Sequence, residues 1–370
     1  MGARPEMETD YSVGPVVVFW EITRSCALAC VHCRATAQPK RHPLELTTQE
    51  SFELVDELRR FEPNPILVIS GGDPLMRPDL FEIASYASAP YGPSSDPSPG
   101  TPGTRGTRGT GKRMRVSLSP SVTALVTPKN LRRVKESGIS HLSFSLDGPD
   151  AGSHDSFRGV AGSFARTLVA VRDAQEAGLT VQLNTTVTRR NAGRLSELGA
   201  LVDELGAVMW DVFFLVITGR AASADLMSPD QHEEAFNWLR QYGEEAPFRV
   251  KTTLGQPYRR VMLQSMGEGA DRSRVPSTND GKGICFISHV GQIHPSGFLP
   301  VDCGNVRTDS LVETYRNHPV FTDLRDPSKL EGKCGSCPFN AVCGGCRARA
   351  YGLTGNYLAA DPTCPYEPAA

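Results

Sequence analysis

The 370-residue sequence has no long apolar run, no excess of either charge and no cysteine between Cys33 and Cys285. Without a stretch of about 18 apolar residues, no membrane-spanning helix is expected. A net charge of −2 gives no basic surface for nucleic acid. The residues before Tyr11 are partly charged and do not resemble a signal peptide, so a cytoplasmic location is expected. The cysteine gap divides the ten cysteines into three near the start and seven near the end, a pattern typical of metal or iron–sulfur ligation rather than of a disulfide framework.

The first two thirds of the chain alternate between strand-like and helix-like patterns. Strands are predicted at 16–21, 66–70, 115–119, 141–146, 180–187 and 211–217, and each is followed by a helical pattern. The stretch from Thr47 to Glu50 is a capping box that begins the first of these helices. Such alternation predicts parallel strands with right-handed crossovers. An open (β/α)6 barrel and a doubly wound sheet both fit this pattern.

Three segments depart from that alternation. Residues 89–112 are rich in Pro, Gly, Ser and Thr, which predicts a flexible surface insert. The alternation is expected to stop near Glu244, which makes 244–283 a linker region. Residues 284–370 contain seven cysteines and one clear helical pattern, at 310–317. A small domain with so thin a core needs metal ions or clusters to hold it together.

The first group of cysteines has the spacing C-x3-C-x2-C, formed by Cys26, Cys30 and Cys33. Three thiolates can hold three irons of a [4Fe–4S] cluster and leave the fourth iron open. A structural zinc site is the alternative, but such a site normally has four ligands. His32 is a poor fourth ligand because it is adjacent to Cys33.

This motif, placed directly after a first strand, resembles the signature of radical S-adenosylmethionine (SAM) enzymes. The resemblance implies a partial (β/α)6 TIM-like barrel over residues 1–243, and a cluster whose open iron binds SAM. It also implies reductive cleavage of SAM to a 5′-deoxyadenosyl radical, which abstracts hydrogen from the substrate. The electron would come from an external donor, a flavodoxin or a ferredoxin.

The resemblance also implies further contacts to SAM at the ends of later strands. Gly71-Gly72-Asp73-Pro74 resembles the family's motif for the SAM amino group, with Asp in place of the more frequent Glu. The cofactor-binding residues implied in this way are His32, Gly71, Gly72, Asp73, Pro74, Ser145, Asn184 and Arg189. Thr218-Gly219-Arg220 is a further candidate for the adenine or the substrate side.

No acid or base of the reaction can be assigned from the sequence. Asp147, His154 and Asp155 are the candidates nearest the expected mouth of the barrel. Asp147 fits a position facing the substrate and a role in capping its loop equally well. Residues 154–159, predicted to lie in the next loop, fit a structural role as well as a functional one.

The seven distal cysteines include the run C-x2-C-x5-C-x2-C from Cys334 to Cys346. A zinc ribbon would use this run but leave Cys285, Cys303 and Cys364 unexplained. After a radical SAM barrel, the pattern resembles a SPASM domain, spanning 284–370, with two auxiliary [4Fe–4S] clusters. The ligands implied for the outer cluster are Cys334, Cys337, Cys343 and Cys364. Those implied for the inner cluster are Cys285, Cys303 and Cys346, with an open iron or a fourth ligand from His289, His294, Asp302, water or substrate.

Two classes of substrate are compatible with these motifs. One is a ribosomally made peptide that is crosslinked, epimerised or oxidised. The other is a tetrapyrrole, because residues 291–306 resemble the corresponding segment of SPASM enzymes of haem and haem d1 synthesis. The alternative to an enzyme is a non-catalytic zinc- or cluster-binding interaction protein on an α/β scaffold.

Overall fold

The computed structural model describes residues 10–92, 111–267 and 275–368. Most of the predicted insert, residues 93–110, lies outside the described residues. The described strands are β1 (Val17–Glu21), β2 (Ile66–Ser70), β3 (Val116–Leu118), β4 (His141–Ser145), β5 (Thr180–Val187), β6 (Met209–Phe214), β7 (Arg249–Thr253), β8 (Asn279–Asp280), β9 (Gly283–Ile287) and β10 (Ile293–His294). The described α-helices are α1 (Thr48–Arg59), α2 (Leu80–Ser88), α3 (Pro128–Glu136), α4 (Ala151–Arg158), α5 (Ser163–Glu176), α6 (Leu195–Glu204), α7 (Pro229–Glu245), α8 (Pro257–Ser265), α9 (Leu311–Asn317), α10 (Pro319–Arg325), α11 (Gly332–Gly335) and α12 (Arg347–Thr354).

The strands form one sheet whose order decides between the two predicted architectures. The order is β10-β9-β1-β2-β3-β4-β5-β6-β7, and neighbours from β1 to β7 pair in parallel. A doubly wound sheet reverses its strand order at a switch point. The described strands β1 to β7 follow one another without reversal, so the sheet curves as a partial TIM barrel, which confirms the predicted fold class.

The first helix illustrates why these residues adopt these elements. Thr47 Oγ1 accepts a hydrogen bond from Glu50 N at 3.2 Å, and the Glu50 carboxylate accepts one from Thr47 N at 2.7 Å. This is the predicted capping box. The helix then buries Leu54, Val55 and Leu58 in the main hydrophobic core, against the sheet.

The prediction that the alternation stops near Glu244 is wrong. β7 adds a further parallel strand beside β6, and α8 follows it. The sequence signal was weak because β7 lies at the end of the sheet and leaves Arg249 and Lys251 exposed. An edge strand of this kind lacks the continuous apolar run of a central parallel strand. The division of the chain at 243 and 284 stays a prediction.

The cysteine-rich region is joined to the barrel through the same sheet. β9 pairs in parallel with β1, with Val17 opposite Ile284 and Trp20 opposite Ile287. β10 then returns antiparallel to β9. The C-terminal region therefore begins as an extension of the barrel sheet.

Two further local predictions are wrong. The helix predicted at 310–317 is present as α9, but it is not the one clear helix of the distal region: α10, α11 and α12 follow it, because short helices of four to eight residues do not produce a long apolar periodicity. Residues 154–158 form part of α4 rather than a loop. Asp150 caps that helix by accepting from Ser153 N at 2.8 Å, and Gly159, at φ +68°, ends it. Among the described helices, none is both long and apolar enough to cross a bilayer.

Candidate active site

The first three cysteines lie in the loop that follows β1. Backbone bonds from Cys26 N to Gln38 O (2.8 Å) and from Gln38 N to Arg24 O (3.0 Å) close this loop. Leu28 N donates to Cys26 Sγ at 3.3 Å, and Ala37 N donates to Cys33 Sγ at 3.4 Å. N–H groups aimed at sulfur favour the thiolate, the form that binds iron.

The Gly71-Gly72-Asp73-Pro74 turn after β2 packs directly on the cysteine loop. Gly72 N donates to Thr23 O at 2.8 Å, and Asp73 N donates to Ser25 O at 2.7 Å. A Cβ on Gly72 would lie 2.5 Å from Ser25 O, so only glycine fits at this distance. The glycines thus allow two backbones to meet.

The carboxylate of Asp73 is used within the protein. It accepts from Thr123 Oγ1 at 2.7 Å and from Leu75 N at 3.1 Å, where it caps a short 3₁₀ helix. Burial raises the pKa of Asp73 to about 6, although these hydrogen bonds act in the opposite direction. The acid therefore shapes the turn, and the predicted contact to the SAM amino group stays untested.

Ser121, in the loop after β3, was missed by the sequence analysis. Its hydroxyl donates to Gly72 O at 2.6 Å and lies 3.5 Å from Cys26 Sγ. It thereby connects the cysteine loop with the glycine turn. Its position directly after β3 could have indicated a role at the site, because ligand contacts of parallel sheets gather after the carboxyl ends of strands.

Helix α4 presents its last turn to the cysteine loop. The Phe157 ring stacks on His32 with centroids 4.2 Å apart, and Phe157 O accepts from Val31 N at 3.1 Å. Arg158 donates to Cys30 Sγ at 3.5 Å and pairs with Asp147 at 2.8 Å. The 154–159 motif therefore supports the site directly.

The three acid–base candidates all have partners in the protein. Asp147 Oδ1 accepts from Thr186 N at 2.7 Å, beside its ion pair with Arg158. His154 Nδ1 accepts from Asp147 N at 3.2 Å, and burial lowers the pKa of His154 to about 4. Asp155 accepts from Gly162 N and Phe164 N at the start of α5, at 2.6 and 2.7 Å, so the geometry gives it a capping role.

The remaining predicted SAM contacts lie along the same edge of the sheet. Ser145 of β4 is directly opposite Asn184 of β5. The Asn184 side-chain oxygen accepts from Gln182 Nε2 at 2.7 Å. Arg189, one turn later, is exposed and donates to Leu226 O at 3.2 Å. Ser145 and Asn184 are thus brought together, whereas Arg189 extends to the surface.

A buried acid connects the first cysteine loop to the C-terminal region. Glu21, at the end of β1, pairs with Arg34 at 2.9 Å and with Arg24 at 3.2 Å, and it contacts His289 Nδ1 at 2.9 Å. Burial alone would raise the pKa of Glu21, but Arg34, His289 and Arg24 lower it to about 2. The Arg34 guanidinium also lies 4.8 Å from the centroid of the Phe286 ring in β9.

Four distal cysteines line one cavity. The four predicted outer-cluster ligands line it: Cys334, Cys337, Cys343 and Cys364. Arg260, Lys333 and the glycines of the 343–345 turn complete the wall. Asp361 N donates to Cys334 Sγ at 3.4 Å, and Gly345 N donates to Cys343 Sγ at 3.5 Å. Four thiols that line one cavity and have N–H donors beside them suit an iron–sulfur cluster.

The other three distal cysteines are less clearly assembled. Cys285 is fully buried on β9; burial, and secondarily the nearby Cys303 thiol, raise its pKa. Cys346 is also fully buried, but it packs with Leu299 in a separate apolar cluster. The structure therefore places Cys285 near Cys303, and the inclusion of Cys346 in the same site stays a prediction.

The candidates for a fourth inner ligand differ in position. His294 of β10 is directly opposite Phe286, and side chains alternate along a strand, so His294 faces away from Cys285. His289 is engaged by Glu21. Asp302 adjoins Cys303, and its carboxylate accepts from Gly304 N at 3.1 Å. Asp302 is adjacent to Cys303 in the sequence, as His32 is to Cys33, and the identity of a fourth ligand stays a prediction.

The donor set fits clusters better than single ions. All ten cysteines are free thiols. Over residues 10–92, 111–267 and 275–368, no three His, Cys, Asp or Glu side chains converge as ligands of one metal ion. An iron–sulfur cube separates its thiolate ligands more widely than a single ion does, and thiolates are its usual ligands.

Comparison with known proteins identifies the family. The model of the radical SAM superfamily matches residues 20–193. An AdoMet-dependent heme synthase of Nitratidesulfovibrio vulgaris is 39% identical, with 100% of this chain and 98% of that protein covered. The chain belongs to the radical SAM superfamily. The mycofactocin maturase MftC of Mycobacterium ulcerans is 32% identical, with 95% of this radical SAM chain and 88% of that protein covered.

A solved structure supports the fold alone. Streptococcus suis SuiB bound to the precursor peptide SuiA superimposes with a TM-score of 0.68 at 15% identity, covering 96% of this chain and 76% of that one.

Family membership makes this protein an iron–sulfur-dependent enzyme that binds a [4Fe–4S] cluster and SAM. The alternative of a non-catalytic interaction protein is therefore wrong.

Proposed function

We propose that this protein is a haem synthase that acts on the side chains of a tetrapyrrole precursor. The observation that carries the proposal is the wall beside Cys33, where arginine and aromatic side chains meet. The Arg34 guanidinium lies 4.8 Å from the Phe286 ring and 5.9 Å from the Phe298 ring, and the Phe213 ring is 6.4 Å from that of Phe298. We call Phe213, Phe286 and Phe298 the aromatic wall. The Arg34 guanidinium is paired with Glu21 at 2.9 Å, so it orders these rings rather than offering a free charge, and the ring faces suit a flat macrocycle.

The comparison with relatives supports the same choice. The similarity to a heme synthase extends over the whole chain at 39% identity, against 32% for a mycofactocin maturase. The latter similarity, together with the SuiB-like fold, favours peptide modification as the second candidate function.

In this proposal Cys26, Cys30 and Cys33 hold the SAM-binding cluster. The cluster and SAM, when bound, supply a 5′-deoxyadenosyl radical that takes a hydrogen atom from the substrate. The protein's own groups orient the cofactor and stabilise the thiolates. The cofactor-binding set proposed is His32, Gly71, Gly72, Asp73, Pro74, Ser145, Asn184 and Arg189.

We also propose two auxiliary clusters and an external donor of electrons. The outer cluster would use the cavity lined by Cys334, Cys337, Cys343 and Cys364. The inner one would use Cys285, Cys303 and Cys346. A flavodoxin or a ferredoxin would deliver single electrons. The double variant Cys285→Ala/Cys303→Ala should lower the bound iron and change the EPR spectrum of the reduced protein; unchanged iron and spectra would remove the inner cluster from the proposal.

Activity with defined substrates tests the proposed function. Anaerobically reconstituted protein is incubated with SAM, dithionite and the iron complex of a carboxylate-bearing porphyrin, and separately with a precursor peptide. We expect 5′-deoxyadenosine in proportion to the tetrapyrrole consumed, and haem as a product detected by chromatography and absorbance. Consumption of the peptide with an unchanged tetrapyrrole would support the second candidate and overturn the first.

A further inference from the structure

The turn after β6 is held rigidly against the first cysteine loop. Arg220 N donates to Cys33 O at 3.0 Å. Gly219 has φ +60°, and a Cβ there would lie 2.3 Å from Cys33 O and 2.4 Å from Arg34 O. The backbone of Arg220 is therefore fixed beside the third cysteine, with only glycine tolerated before it.

The guanidinium of Arg220 has an unfilled edge. Its Nε and Nη2 atoms are buried, and neither has a hydrogen-bond partner in the described chain. A buried charged donor without a hydrogen-bond partner is destabilising, so native proteins rarely leave such a group unpaired.

Other arginines of this protein bind carboxylates through the corresponding pair of atoms, Nε and Nη2. Five other arginines use Nε and Nη2 together to hold the two oxygens of one Asp or Glu: Arg77, Arg190, Arg194, Arg307 and Arg349. In the buried pair of Arg349 with Asp361, the two distances are 3.1 and 2.9 Å. This edge matches the planar, two-oxygen geometry of a carboxylate.

Two acids that act on the same histidine as Arg220 already have arginine partners. Asp147 pairs with Arg158 at 2.8 Å, and Asp225 pairs with Arg190 at 2.6 Å. Both acids and Arg220 lie close enough to His32 to shift its pKa. Because each acid is already paired with another arginine, the Nε–Nη2 edge of Arg220 is left for an anion from outside the described residues.

We propose that the Nε–Nη2 edge of Arg220 binds a carboxylate group of a molecule held beside Cys33. Two molecules could supply it: SAM through its amino-acid carboxylate, or the substrate through an acidic side chain. The second source rests on the function proposed above. The two sources are separated by measuring each ligand independently.

Binding of SAM and of haem to the full-length, anaerobically reconstituted protein tests this site. The variants are Arg220→Gln, which removes the charge, and Arg220→Lys, which keeps the charge but loses the planar pair of N–H donors. Arg240→Gln is the matched control, because Arg240 pairs with Glu244 on helix α7. Iron content and visible absorbance report whether each variant retains its clusters. Equilibrium dialysis gives the Kd for SAM, and absorbance titration gives the Kd for haem and for haem dimethyl ester.

We expect Arg220→Gln to raise the Kd of one of the two ligands by about 10- to 100-fold, the effect of losing a hydrogen-bonded charge pair. Arg220→Lys should recover only part of this loss. If the substrate supplies the carboxylate, wild-type protein prefers haem to its dimethyl ester, and the variants lose this preference with unchanged SAM binding. If SAM supplies it, SAM binding falls and the preference stays.

The proposal on Arg220 is overturned if both Kd values stay within about twofold of wild type, or if Arg240→Gln causes an equal loss. The function proposed above fails separately. Absence of haem binding to wild-type protein, with SAM binding that still depends on Arg220, would reject the tetrapyrrole substrate and retain the carboxylate site.

Discussion

At the scale of single residues, Glu21 shows how one buried acid can organise a site. Its carboxylate is only 1% exposed and receives Arg34, Arg24 and His289. Its pKa of about 2 lies below that of an unfolded Glu, about 4.3, so the charge stabilises the fold above pH 4 and this contribution is lost as the pH falls towards 2. Between pH 5 and 8 the carboxylate therefore stays charged.

Removal of that charge should destabilise the protein strongly. Glu21→Gln leaves Arg34 partly buried without its partner, which is expected to cost about 3–5 kcal/mol. The double variant Glu21→Gln/Arg34→Gln should recover about 1–3 kcal/mol of this loss. Urea unfolding at pH 7 measures both quantities. Additive losses from the two single substitutions would show that the pair does not interact.

At the scale of elements, the site is made by turns that converge on one loop. The turns after β2 and β6 and the end of α4 each bond to backbone groups of the loop that carries Cys26, Cys30 and Cys33. Each of these three elements has a glycine whose added Cβ would lie within 2.7 Å of a backbone oxygen of the loop: Gly72, Gly159 and Gly219. The rigidity of the loop therefore comes from neighbouring elements and not from its own secondary structure.

A methyl group at one of these contacts should open the site. In Gly72→Ala, the new Cβ would lie 2.5 Å from Ser25 O, so the bonds of Gly72 N and Asp73 N to the cysteine loop must lengthen. We expect a loss of about 1–3 kcal/mol in stability and weaker SAM binding. Gly193→Ala is the control, because a Cβ there meets nothing within 4 Å. Equal unfolding midpoints and SAM affinities in the two variants would contradict this account.

The sequence predicted elements with strong periodicity and missed those without it. β2 and β5 were predicted with their observed bounds because each is a strongly apolar or β-branched run in the sheet interior. β7 and α4 were missed because an edge strand and a two-turn helix have little pattern of their own. At the site, the cysteine motif and glycine turn were visible as spacing. The roles of Ser121 and Arg158 were not, since both depend on side chains that meet from distant parts of the chain.

At the scale of the whole molecule, a single sheet contains both the first cysteine loop and the start of the distal cysteine region. β9 pairs with β1, and the distal helices that follow are short. The four cysteines of the outer cavity are carried by α11, loops and the C-terminal segment near Cys364. Such elements bury little apolar surface, so bound iron should contribute much of their stability.

Removal of iron should therefore loosen the distal region before the barrel. We expect hydrogen exchange of backbone amides in 334–364 to rise by at least tenfold after chelation, while amides of β4, β5 and β6 change little. Mass spectrometry of the holo and chelated protein gives both values. The paired strands of the barrel serve as the internal control. Uniform acceleration along the chain would show that iron stabilises the whole fold equally.

The pairing of β1 with β9 also constrains the order in which the protein can be made. β1 is translated well before its partner strand, which ends at Ile287, and the carbonyl of Gly297 that Arg34 contacts follows later still. Such non-local pairings form slowly because a long loop must close first. During synthesis, β1 and the thiols that follow it remain without the pairing to β9 until that strand has been translated. Iron delivered to Cys26, Cys30 and Cys33 in that interval would meet a loop whose final supports are still missing, so maturation of this centre should follow translation of β9 and Gly297.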